Sequence, residues 1–283
     1  MSAPVQTPIY IRIFYRLGLV PVLAGVMTGQ PMRTLATYSF PESLIETGFH
    51  CDQVEQTGSW FFMLDREHQR LVRWDGAEEW NQAGGFGQTE DSFFDPVGFQ
   101  IDHLKMYVLD RGRQGWLLFD TQLHYIDFIP LPTDIDPVSF AVDAFGNLYV
   151  ADLISHGVIR YSRSGQMTGP FIDFDLLPDQ PRELVRLSLL DDQRFQLWFR
   201  RPSSRYILST SGRLLTWQRF PEAVAGVLDC QGEGYPVQVR PDSVRIQSTE
   251  PVRFPVPQVQ ALAFQTSRLL IVTPTDIRVL SCE

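Results

Sequence analysis

Lysine is almost missing from this chain. Lys105 is the only one, and arginine carries the rest of the basic charge. Schiff-base and Ser–Lys chemistries need a lysine amine of lowered pKa, so they are close to excluded. Asparagine is nearly as scarce, at Asn81 and Asn147 only; a bias in genome composition would be enough to explain both shortages. The three cysteines, Cys51, Cys230 and Cys282, show no C-x-x-C or other metal-ligand spacing. Buried, inert thiols are their expected state, with a Cys51–Cys282 bridge left open. No G-x-S-x-G or similar nucleophile motif occurs. A net charge of −9 lacks the basic surface that phosphate contacts need, which argues against a nucleic-acid binder.

What is present points to a large core. Hydrophobic residues make up 44% of the chain and aromatics 12%, far from a disordered composition. Two stretches nearly repeat. Asp95–Asp102 reads DPVGFQID and Asp136–Asp143 reads DPVSFAVD, an offset of 41 residues. Met106–Asp110 and Leu148–Asp152 follow at an offset of 42, as do Trp116–Phe119 and Val158–Tyr161. A period in the 40s with several short alternating strands is a β-propeller blade signature.

The pattern extends back to Phe62–Asp65 and Leu71–Asp75. It extends forward through Leu187–Leu189, Phe195–Trp198, Tyr206–Leu208 and Leu214–Trp217. Two more units follow, over about Val224–Val256 and from Val259 onward. The expected fold is all-β: a six-bladed propeller over 34–283. Its last unit has room for only three strands, and Leu35–Phe40 has no blade of its own. That segment is expected to supply the missing strand, because closure removes the unpaired edges of an open ring.

The run Asp65–Trp74 resembles the NHL repeat, in which a strand ends in Val-x-Asp and a turn leads to Arg, an aliphatic residue and an aromatic. Asp65, Arg70, Leu71 and Trp74 match, with His68 in place of the usual Asn. The second copy keeps Asp110, Trp116 and Phe119, with Arg113 and Gly115 at the variable places. The third keeps Asp152, Val158 and Tyr161, with Ser155 and Gly157. The glycine-rich lead-in Gly84–Gly87 is similar too. The resemblance spans roughly residues 54–174 and implies a six-bladed propeller; later units share only its strand rhythm.

Residues 1–30 form an N-terminal apolar segment. Arg12 and Arg16 precede an apolar run from Leu17 to Val26, followed by Thr28, Gly29 and Gln30. This order is that of an export signal, and the run is too short for a stable membrane span. The chain is expected in the periplasm or at the cell surface, or in the cytoplasm if the segment is not a signal.

In a propeller, the turns between second and third strands share a face with the inter-blade connections. That places Arg66, Glu67, His68, Arg111, Arg113, Ser155, His156, Arg200, Arg201 and Arg240 together. Arg66, His68, Arg111, Arg113, His156, Arg200 and Arg201 are the expected contact surface for a protein partner or an anionic glycan, since arginine binds carboxylates through paired hydrogen bonds. The competing expectation is that these arginines only pair with nearby carboxylates. Asp65, Asp110 and Asp152 recur once per blade, which suits a turn that needs an acceptor for backbone N–H groups better than it suits catalysis.

The alternative enzyme reading is a metal-dependent hydrolase or lactonase with a cation in the central channel. Such a site needs several oxygen ligands, and the inner segments Phe99–Ile101, Phe140–Val142, Leu187–Leu189 and Leu262–Phe264 are largely apolar. Only Glu55 and Asp229 offer inner-strand carboxylates. The histidines, His50, His68, His103, His124 and His156, are scattered rather than convergent as zinc would require. The expectation is a non-catalytic binding or assembly module, such as a subunit of a cell-envelope complex, with no catalytic residue, metal or cofactor.

Overall fold

A computed structural model describes residues 32–282 apart from positions 103, 133, 231–232, 249–250, 257 and 266. The expected export segment lies outside the described residues.

The strands form six four-stranded antiparallel sheets. Blade 1 holds β2 (Gln53–Thr57), β3 (Trp60–Asp65), β4 (Arg70–Trp74) and β5 (Trp80–Gly84). Blade 2 holds β6 (Pro96–Asp102), β7 (Lys105–Asp110), β8 (Gly115–Asp120) and β9 (Tyr125–Pro130). Blade 3 holds β10 (Pro137–Val142), β11 (Leu148–Asp152), β12 (Gly157–Tyr161) and β13 (Met167–Asp173). Blade 4 holds β14 (Arg182–Leu189), β15 (Phe195–Arg201), β16 (Ser204–Leu208) and β17 (Leu214–Arg219). Blade 5 holds β18 (Gly226–Cys230), β19 (Glu233–Arg240), β20 (Ser243–Ile246) and β21 (Val252–Pro255). Blade 6 has three consecutive strands, β22 (Ala261–Gln265), β23 (Arg268–Val272) and β24 (Asp276–Ser281), and takes its fourth from β1 (Arg33–Ser39). The chain is a six-bladed β-propeller closed by an N-terminal strand.

Burial explains this grading of strands. The second and third strands of blade 1, WFFMLD and RLVRW, are buried almost throughout, because each is covered by a neighbouring blade on both faces. Outer strands such as LLTWQR face water and need no apolar pattern. The closing strand is secured twice. Ser39 pairs with Asp276 and Arg33 with Ser281 along β24. Tyr38 then sets its ring 4.9 Å from Phe61, and Phe40 lies 5.0 Å from Trp74. Thus β1 hydrogen-bonds to blade 6 while Tyr38 and the adjoining Phe40 pack on blade 1, and the two ends of the ring share one core.

The turn between second and third strands is built alike in blades 1 to 3. Four residues after each repeated aspartate, Gln69, Gln114 and His156 adopt left-handed backbone, with φ of 54°, 54° and 50°. The next position is Arg70 in blade 1 but Gly115 and Gly157 in blades 2 and 3. There a Cβ would run into the Phe128 ring or the Ile172 carbonyl, so the outer strand's close approach demands glycine.

Candidate functional site

Inner strands of five blades, 1 to 4 and 6, wall a cavity of about 480 Å³ on the ring axis. Blade 1 contributes Gln53 and Glu55, blade 2 Gln100, blade 3 Ser139, and blade 4 Arg186 and Ser188. Asp52 and Arg66 border it at the connection face.

Several of these polar groups bind the blades to each other. Gln53 donates from Nε2 to the Phe99 carbonyl at 2.6 Å and accepts the Phe99 N–H at 3.0 Å. Gln100 does the same one blade on, donating to the Val142 carbonyl at 3.1 Å and accepting the Val142 N–H at 2.8 Å. Ser139 accepts the Leu187 N–H at 2.9 Å. From blade 6, Gln265 donates to the Gln56 carbonyl at 3.1 Å. Each side chain occupies backbone groups that have no strand partner at the hub.

Glu55 and Arg186 are different. Glu55 accepts long hydrogen bonds of 3.3 Å from the Ile101 N–H and from Gln53 Nε2. Burial pushes its carboxyl up to about 7, and the more distant Arg186 charge pulls the other way. Arg186 is itself lowered by burial, with Glu55 opposing. Both side chains keep some accessible surface, and both line the axial cavity among the inner strands. Their charges are therefore poorly hydrated. Glu55 is legible in the sequence as an inner-strand carboxylate, but Arg186 is not, because the apolar run on that strand begins at Leu187. The register shift between Leu184 and Arg186 carries β14 back to Arg182 and puts Arg186 on the cavity wall.

The rim residues share the connection face, and most are engaged there. Arg111 bridges two inter-blade loops, 2.7 Å from Asp95 and 3.2 Å from Asp136; the Asp95 hydrogen bond raises its pKa further. Arg113 donates to the carbonyls of Glu90 at 2.6 Å and Ser92 at 2.9 Å and stacks near Phe128. Arg66 lies 3.8 Å from Asp95, and His68 lies 2.9 Å from Asp65. His156 sits 3.2 Å from Asp175, which also pairs with Arg182. Arg201 pairs with Glu183 at 3.0 Å, and Arg240 with Glu222 at 3.2 Å. Arg200 is exposed and forms no ion pair among the described residues.

The same face exposes large apolar side chains that the sequence did not single out. Phe86 and Phe94 lie in the loop from blade 1 to blade 2, Leu153 and Ile154 in the blade 3 turn, and Leu176 in the connection to blade 4. Phe86, Ile154 and Leu176 are 73%, 68% and 82% exposed.

The repeated aspartates hold backbone. Asp110 accepts N–H bonds from Phe94, Asp95 and Arg113 at 2.7, 3.1 and 2.9 Å. Asp152 accepts from Asp136 and Ser155, both at 2.7 Å. Asp65 accepts from His50 and His68, and also takes the Arg70 Nε–H at 3.0 Å. Asp229 stands on inner strand β18 of blade 5 and does not line the cavity. Among the described residues, no three His, Cys, Asp or Glu side chains converge as a metal site would require.

The cysteine expectation needs correction. Cys230 and Cys282 form a disulfide with Cα atoms 5.9 Å apart, and Cys51 is free and buried. Cys51 precedes β2 on the connection face, whereas Cys282 follows β24 on the opposite face. A full strand length separates them, so being in adjacent blades does not bring them together. Cys230 ends β18 on the Cys282 side, where Ser267 donates its N–H to the Asp229 carbonyl.

No family model matches the chain, and no curated protein matches it by sequence. Similarity appears at the level of structure. A Bacteroides fragilis protein assigned as exported superposes with a TM-score of 0.65 at 9% identity, covering 90% of this chain and 95% of its own. A streptogramin B lyase superposes with a TM-score of 0.58 at 12% identity, covering 87% and 97%. YCF48, solved bound to a D1 peptide, superposes with a TM-score of 0.51 at 8% identity, covering 82% and 77%. At these identities the likeness is one of fold; the neighbours include an enzyme and a peptide-binding protein.

Proposed function

We propose that this chain is a non-catalytic, exported binding module that docks a protein partner on its connection face, over blades 1 to 4. One observation carries the reading: Phe86, Phe94, Leu153, Ile154 and Leu176 stand exposed on the face that also holds the arginines. Large apolar side chains among arginines are the composition of protein interface cores. A glycan would find few unoccupied cations there, because Arg66, Arg111, Arg113 and Arg201 already face carboxylates or carbonyls. His68, His156 and Arg200 would sit at the edge of the contact. YCF48, bound to its peptide, is a precedent for partner binding by this architecture.

Two features support export with residues 1–30 as the signal and 34–283 as the propeller. The first is the charged, apolar and small-residue order of the N-terminal segment. The second is the Cys230–Cys282 disulfide, which persists in oxidising compartments and is rare in reducing ones.

Arg111 and Arg113 are unsuitable probes because they tie loops together. Phe86→Ser with Ile154→Ser changes only exposed surface. The double variant, tagged and recovered from the native envelope fraction, should fold normally and lose the protein that co-purifies with the wild type. Equal recovery of the same protein at the same stoichiometry would overturn the proposed face.

A further inference from the structure

The axial cavity contains two opposite charges that do not satisfy each other. The Arg186 guanidinium forms no hydrogen bond, ion pair or aromatic stack with any described residue. A poorly hydrated cation with five unused donors is costly to keep in a fold. Arg186 nevertheless stands on an inner strand beside Leu184 and Leu187, where an apolar residue would pack without that cost. Glu55, on blade 1, faces the same cavity with two long hydrogen bonds and no ion pair.

Apart from the Ser188 hydroxyl, the remaining polar walls leave these two charged groups as the available handles. Gln53, Gln100 and Ser139 are occupied by neighbouring backbone. Asp52 is occupied by the Arg66 N–H at 2.8 Å and by His50. The volume of about 480 Å³ lies within the roughly 300–1,000 Å³ of small-molecule sites. A cation and an anion held apart across such a space complement a ligand that carries both charges. The guanidinium fork matches a carboxylate, and a desolvated carboxylate matches an ammonium.

We propose that the axial pocket binds a zwitterionic small ligand, a free amino acid or short unblocked peptide, with its carboxylate on Arg186 and its ammonium toward Glu55. This site lies at the hub, with only Arg66 of the rim at its border and none of the exposed apolar side chains in its wall, and it needs no protein partner, so either reading can fail alone.

The test is calorimetric titration of the purified full chain. The probes are a panel of free amino acids, Ala-Ala, N-acetyl-Ala-Ala and Ala-Ala amide. At least one free zwitterion should bind, and blocking either end should weaken it by about tenfold or more, the worth of one charge-assisted contact. Arg186→Leu should abolish binding while keeping or raising the thermal midpoint at pH 5, where Glu55 is protonated, since it removes a poorly hydrated charge that has no hydrogen-bond partner. Should that variant not fold, Glu55→Gln supplies the second arm: weaker binding of the free form and unchanged binding of the N-acetyl form. The proposal is overturned if no panel member binds, if the N-acetyl form binds the wild type as tightly as the free form, or if the folded variants bind like wild type.

Discussion

Gln53 and Phe99 stand on the inner strands of adjacent blades and pair as though they were neighbours in one sheet. The Gln53 side-chain amide supplies both a donor at 2.6 Å and an acceptor at 3.0 Å to the Phe99 backbone. Gln100 repeats the arrangement with Val142. Because β2 and β6 belong to different sheets, no ladder could satisfy these groups. A side-chain amide reproduces the peptide that the ladder lacks.

Gln53→Leu should therefore cost about 2 kcal/mol, as two backbone groups lose their partners at the hub. Equilibrium urea unfolding measures this. A loss below a few tenths of a kcal/mol would mean that water replaces the amide without penalty.

Stability should depend on pH through Glu55. Its carboxyl rises from an ordinary value of 4.5 to about 7 on folding, so the folded state binds the proton more tightly than the unfolded chain. The contribution is fully present below pH 4.5, declines as pH rises through 7, and is lost above that. Glu55→Gln should match wild type at pH 4 and exceed it at pH 8 by about 2 kcal/mol, a figure set below the full shift because the cavity admits water. Asp52, Arg66 and Arg186 face the same cavity. Arg186→Leu should extend the decline to higher pH without moving its onset, since Arg186 is the largest of the influences that oppose the rise. Thermal midpoints across that range would show both effects.

Cys230 and Cys282 span 52 residues and join blade 5 to blade 6, the blade in which the ring closes. The loop-entropy relation gives roughly 4 kcal/mol for a bridge of that span. Cys230→Ser should lower stability by about 2–4 kcal/mol, whereas Cys51→Ser should leave the bridge intact. Alkylation of the unfolded, unreduced protein followed by mass spectrometry should find one free thiol, at Cys51. Three free thiols would refute the pairing.

Asp110 receives three backbone N–H groups, two from the blade 1–2 loop and one from its own turn. Asp110→Ala should lower stability by about 3 kcal/mol, with the cost falling on the three abandoned donors. Hydrogen exchange at Phe94, Asp95 and Arg113 should accelerate. Unchanged exchange there would show that the carboxylate does not hold the loop.

The turn aspartates were legible because they recur at one place in successive blades. Closure was legible because a strand with no partner, Leu35–Phe40, complemented a blade with three. Arg186 was not legible: an arginine at the edge of a short apolar run reads as loop charge unless the register shift at Leu184 is known. Nor was the disulfide, since adjacency of blades says nothing about which face a cysteine occupies. The apolar rim was hidden for another reason. Phe86, Leu153, Ile154 and Leu176 look like core residues until the loops that carry them are placed.

By itself the sequence determined the number of blades, the order of their strands and the segment that closes the ring. Those depend on period and alternation, which local backbone geometry converts directly into strands and turns. Only the tertiary structure decided which charges meet at the axis, which cysteines join and which apolar side chains remain in water. These depend on distances between residues from different blades, and such distances exist only once the sheets are arranged around a common centre.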